Sequence, residues 1–138
     1  MRNVVVMHLK KRRDKDYVAI KPSEVEKIAI EDAISYYKNL GYSLLSEKRR
    51  GCDLIFYKDG EKLFVEVKWR TRRWQFTNLS QKDVDLLKTE PNSILYEVVI
   101  DKQTRTVKER FIRSGKDIIR EEPLGSRVYF RKGCSTNA

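Results

Sequence analysis

Two runs with strand character, residues 52–57 and 63–69, are separated by Lys58-Asp59-Gly60-Glu61. Asp-Gly is strongly favoured in a two-residue hairpin, because both bend positions need positive φ. With Asp59 and Gly60 at the bend the register is fixed. Lys58 then faces Glu61, Phe56 faces Leu63, Leu54 faces Val65 and Asp53 faces Glu66. Side chains alternate along a strand, so Cys52, Leu54, Phe56, Leu63, Val65, Val67 and Trp69 form one apolar face. Asp53, Glu66 and Lys68 share the other, and Gly51 leaves the corner opposite Lys68 open. A three-residue turn would slip the pairing by one position and break this arrangement.

The apolar face needs a cover, and the segment before it supplies one. Residues 24–40 read as a helix that stops at Gly41, a good residue for the left-handed end of a helix. Ser23 and Glu26 have the spacing of a capping box, with Pro22 just outside it. At about 100° per residue, Val25, Ala29, Ile30, Ala33, Ile34, Tyr36, Tyr37 and Leu40 gather into one stripe. Glu26 projects into that stripe, an odd place for a carboxylate. Downstream, Ser80 caps a second helix that runs to about Lys88, before Pro91. Residues 94–100 and 105–112 read as strands about a turn at 101–104, and Val128-Tyr129-Phe130 as a terminal strand or docking segment. Residues 71–78 read as loop or irregular strand. Helix, strands, helix, strands is the order of a mixed α/β domain.

The 138 residues fit a single domain, with a basic segment at 1–21 and a polar tail at 132–138. Such a domain buries enough surface to need neither disulfide nor structural metal. Cys52 and Cys134 form no framework and read as reduced thiols of an intracellular, cytoplasmic protein. No apolar run approaches the roughly 18 residues of a membrane span. His8 is the single histidine, which excludes a zinc finger, a His-rich metallohydrolase and any histidine triad not built on it. Chemistry must come from carboxylates, lysines and arginines. Thirty Lys and Arg against 20 Asp and Glu give a net charge of +10, which suits a polyanion such as nucleic acid.

Opposed carboxylates on adjacent strands repel. A divalent cation between them removes that cost, and acidic oxygens without histidine suit Mg²⁺, with Mn²⁺ as substitute. Glu26 can reach the same place from its helix, so Asp53, Glu66 and Glu26 are the expected metal ligands. With Lys68 they form a set able to hydrolyse a phosphodiester. The plainer alternative is a solvated ribbon face carrying Asp53, Glu66 and Lys68, with Glu26 serving only the helix cap. Arg49, Arg50, Arg70, Arg72, Arg73 and Lys82 are the expected phosphate contacts around this site, with Trp69 in the core.

Gly51-Cys52-Asp53-Leu54 followed by Val65-Glu66-Val67-Lys68 resembles the PD-(D/E)xK nuclease superfamily, and within it the NO VEIN C-terminal domain family. Glu26, Ala29-Ile30, Ala33-Ile34, Tyr36-Tyr37 and Gly41-Tyr42 echo that family's first helix, and Leu79-Ser80 with Asp83 its later one. The likeness spans residues 25–100. Cys52 in place of proline and Trp69 in place of a small residue depart from the pattern. The resemblance implies a restriction-endonuclease-like core, a central mixed β-sheet flanked by helices, and metal-dependent DNA cleavage by Glu26, Asp53, Glu66 and Lys68. Restriction, repair and junction processing are the settings for such an activity, and a homodimer is the arrangement in which many nucleases cut both strands. The rival readings are a nuclease-fold DNA-binding module with weak or lost catalysis, and an interaction domain for an acidic protein.

Overall fold

The computed structural model describes residues 20–47, 53–73, 76–122, 127–132 and 135–137, the last by backbone alone. The basic N-terminal segment through residue 19, His8, Arg49, Arg50, Gly51, Cys52, Trp74 and Cys134 lie outside the described residues.

Helix α1 spans Pro22–Asn39 and begins earlier than the Ser23–Glu26 spacing implies. Pro22 occupies the first helical position, where its missing N–H costs nothing and its fixed φ suits the helix. The capping acid is therefore Glu24, not Glu26. Glu24 Oε1 accepts the backbone N–H of Lys21 at 3.3 Å, and Arg105 donates to Oε2 at 2.9 Å. At the far end Gly41 adopts φ +95°. The N–H of Tyr42 reaches Tyr37 O and that of Gly41 reaches Lys38 O, both at 3.0 Å. That is a Schellman end, closed by the Tyr37 and Tyr42 rings 5.5 Å apart.

Strand β1 (Ser43–Glu47) leads toward the hairpin of β2 (Leu54–Lys58) and β3 (Glu61–Arg70). Asp59 and Gly60 have φ of 52° and 83°, and the ladder pairs Lys58 with Glu61, Phe56 with Leu63 and Leu54 with Val65. The bend and register follow from the sequence. After β4 (Thr77–Asn78), helix α2 (Gln81–Thr89) crosses to β5 (Ser93–Asp101), which lies parallel to β3. Strand β6 (Thr106–Arg113) pairs antiparallel with β5, and a 3₁₀ turn at Gly115–Asp117 leads to β7 (Ile118–Glu121), β8 (Arg127–Phe130) and β9 (Ser135–Asn137). The main sheet runs β1-β2-β3-β5-β6-β9, and β4-β8-β7 make a second, small sheet. Strand β4 falls within the loop or irregular strand expected at 71–78, and β7 was not legible in the sequence pattern.

Each face of the main sheet has its own cover. Val25, Ala29, Ala33 and Tyr37 of α1 pack on Leu54, Phe56, Val65, Val67, Tyr96, Val98 and Ile100. Trp69 borders this core, as expected. On the other face Val84 and Leu87 of α2 pack with Leu79, Leu95 and Val128. A polar clamp fixes α1 to the sheet. Asp32 receives two bonds from Arg110, at 2.9 and 2.8 Å, and one from the Tyr96 hydroxyl at 2.5 Å. Burial and the adjacent carboxylate hold the Tyr96 phenol well above its ordinary pKa, so it stays a donor. Replacing Asp32 with Ala strands the Arg110 guanidinium and should cost about 2–3 kcal/mol in urea unfolding. A loss within experimental error would mean that apolar contacts alone hold α1.

Candidate active site

The site grows from the end of the hairpin ladder. Regular pairing stops at Leu54–Val65, and Asp53 sits at the bend just before β2. Its Oδ2 accepts the backbone N–H of Val67 at 2.9 Å, so the carboxylate caps the ladder across from Glu66. Glu66 and Lys68 project from β3 on the face that α2 covers, away from the apolar core. Ser80 Oγ accepts the Asp83 N–H at 3.1 Å and so starts α2 with Asp83 in its first turn. The crossover thereby delivers a further carboxylate. Lys68 Nζ lies 3.5 Å from Glu66 Oε2 and 3.9 Å from Asp83 Oδ2.

Charge crowding is written into the titration of these groups. Burial pushes the Glu66 carboxyl up to about 7, Asp53 and Asp83 push in the same direction, and Lys68 opposes them. Asp53 is also raised, by burial first, with Glu26 and Asp83 adding to it, while the Val67 N–H and Lys68 pull it down. Glu26 is exposed at the start of α1 rather than central to the buried stripe, yet its charge acts on Asp53. Asp53, Glu66, Lys68 and Glu26 therefore belong to one electrostatic neighbourhood.

Among the described residues these donors are hard oxygens in excess over a single ammonium, a set that would suit Mg²⁺ or Mn²⁺ better than zinc. Among the described residues no three His, Cys, Asp or Glu side chains are already gathered closely enough to ligate one ion. Lys68 instead stands between Glu66 and Asp83 as their counter-charge.

The basic residues divide. Arg70 is turned inward, with its Nη2 2.6 Å from Glu97 Oε2, and does not reach outward as a phosphate contact. Its partner explains this, since Glu97 is buried in β5 and needs compensating charge. Arg73 is exposed, 3.5 Å from Glu109 and stacked over Phe111, while Arg72 and Lys82 are exposed. Sequence reasoning missed two acids, Asp83 and Glu97. A glutamate inside an otherwise apolar strand was the available signal for Glu97, because it demands buried partners. In the sequence Asp83 reads only as part of the helix after Leu79-Ser80 that echoes the family, with no role at the site.

No helix among the described residues is long and apolar enough to cross a membrane. No curated protein matches the chain by sequence. Among solved structures, the chain is similar to Hjc, a Holliday junction resolvase from the hyperthermophile Archaeoglobus fulgidus. That likeness has a TM-score of 0.52 at 16% identity, over 75% of this chain and 81% of that one. It assigns the restriction-endonuclease-like fold, a mixed sheet flanked by helices. Residues 25–112 match the family described as Protein NO VEIN, C-terminal, and the chain belongs to that family.

Proposed function

We propose that this chain is a metal-dependent endonuclease that hydrolyses DNA phosphodiester bonds. The observation that carries this reading is the meeting of Asp53, Glu66 and Lys68 at one end of the β2–β3 hairpin on a nuclease fold. A net charge of +10 supports a polyanionic substrate, and Hjc, a resolvase of Holliday junctions, makes DNA the favoured class.

Asp53 and Glu66 would hold Mg²⁺, with Glu26 at the margin and Mn²⁺ as substitute. When bound, the ion supplies positive charge to the scissile phosphate and lowers the pKa of a water. The Val67 N–H orients the Asp53 carboxylate. The Lys68 ammonium positions the attacking water and offsets charge that builds on the phosphate oxygens. Asp83 steadies that ammonium from the α2 side. Arg72, Arg73 and Lys82, and beyond the described residues Arg49 and Arg50, would meet the phosphate backbone and make binding salt-dependent. A DNA-binding module without catalysis is the second reading, favoured by the ion-paired seat of Lys68 between two acids.

Incubation with plasmid or branched DNA and Mg²⁺ separates the two. The wild type should cut, and Asp53→Ala or Lys68→Ala should lose about 100-fold or more in rate. Cutting retained by both variants would place the reaction elsewhere, and no cutting by the wild type would favour the binding module.

Glu66 also makes stability depend on pH. Its folded pKa lies above its unfolded value, so its contribution is fully present below about 4.5 and is lost as pH rises through about 7. Thermal melting of the metal-free protein should therefore fall from pH 5 to 8, by a shift worth about 2–3 kcal/mol. Glu66→Gln should flatten that slope, and Mg²⁺ at pH 8 should restore the wild-type midpoint. A slope unchanged in the Gln variant would contradict the burial of this acid beside the others.

A further inference from the structure

A cavity of about 500 Å³ opens beside Lys68, lined by Arg70, Phe76, Thr77, Asn78 and Glu97. The volume is within the range of small-molecule sites. Its polar wall is built, not incidental. The Glu97 carboxylate, buried in β5, meets Arg113 Nη1 and Arg70 Nη2, each at 2.6 Å, and accepts the Thr77 hydroxyl at 3.0 Å. Two guanidiniums against one carboxylate leave a positive excess in surroundings where charge is poorly screened. Lys68 at the rim is already held by Glu66 and Asp83, so the excess rests on the two guanidiniums. This wall favours an anion.

The opposite character comes from Phe76. Its ring is half-buried, supported by Tyr129 at 6.0 Å between centroids and by Arg127 at 4.5 Å, and it presents an aromatic surface to the cavity. Asn78 is exposed beside it and offers both a donor and an acceptor to the edge of a flat polar ring. An anion joined to a flat, edge-polar aromatic group is a nucleotide. In an uninterrupted duplex each base is held in the stack and cannot enter a concave site, whereas an unpaired or displaced nucleotide can.

We propose that this cavity receives one unpaired nucleotide of the substrate strand, next to the phosphate held at Asp53 and Glu66. The chain then acts on DNA with a bulge, branch or single-stranded flank in preference to plain duplex. This rests on the nuclease reading of the adjoining site, and its test needs no cleavage. Anisotropy binding in EDTA compares a short duplex with the same duplex carrying a single-nucleotide bulge. The wild type should bind the bulged DNA about tenfold more tightly, the scale expected of one stacked base. Phe76→Leu, which keeps apolar bulk, should remove most of that preference, and Asn78→Ala, at an exposed position, should reduce it. Free deoxynucleoside monophosphate in excess should leave the preference in place. Equal affinity of the wild type for both DNAs, or a preference untouched by both substitutions, would overturn the proposal. Displacement of bulged DNA by micromolar mononucleotide would overturn it in favour of a free nucleotide. A bulge preference without Mg²⁺-dependent cutting would support the cavity while sinking the nuclease reading.

Discussion

The left-handed backbone at Asp59 and Gly60 decides which side of β3 carries core and which carries acid. Both positive φ values are needed for a bend whose twist matches the strands it joins. Shifted by one residue, the same strand would put Glu66 and Lys68 into the α1 core and expose Val65 and Val67. Burying that apolar set against Val25, Ala29, Ala33 and Tyr37 holds the register, because the slipped alternative forces a carboxylate and an ammonium into a dry layer. The site is thus a by-product of the packing on the opposite face.

The acidic side of the sheet is organised against its own preference. Among the described residues Asp53, Glu66 and Asp83 share one nearby ammonium, so these groups together carry more negative charge than it neutralises. Such strain is tolerable where the remainder of the domain is secure, with the Asp32–Arg110–Tyr96 clamp on one face and the Leu79–Val84–Leu87 cluster on the other. The same contrast separates this cluster from Glu97. That acid is more deeply buried yet has two arginines and a threonine, so it serves as architecture. Degree of neutralisation, more than burial, distinguishes the acids of the candidate site from Glu97.

Local chemistry was legible in the sequence wherever one short segment determined the outcome. Gly41 ended α1, Ser80 began α2, and Asp59-Gly60 set the hairpin register as far as Leu54–Val65, with Asp53 just beyond it accepting the Val67 N–H. The start of α1 was misread because Ser23 and Glu26 mimic a capping box, while Pro22 starts the helix earlier and hands that task to Glu24. Non-local partners were not legible. Asp83 reaches Lys68 only through the crossover between β3 and β5, and Arg70 turns inward only because the parallel register sets Lys68 beside Glu97. Strand β7 and the pairing of the small sheet escaped notice because β4 has two residues and β7 four, too few to establish a period.

We propose that Asp53 and Glu66 jointly ligate one divalent cation. A crystal soaked in Mn²⁺ and measured for anomalous scattering addresses it directly. The account predicts a peak bonded to oxygens of both carboxylates, beside Lys68 and on the α2 side of the sheet. A peak confined to other residues, or a well-ordered pair of carboxylates with no peak between them at saturating Mn²⁺, would contradict it.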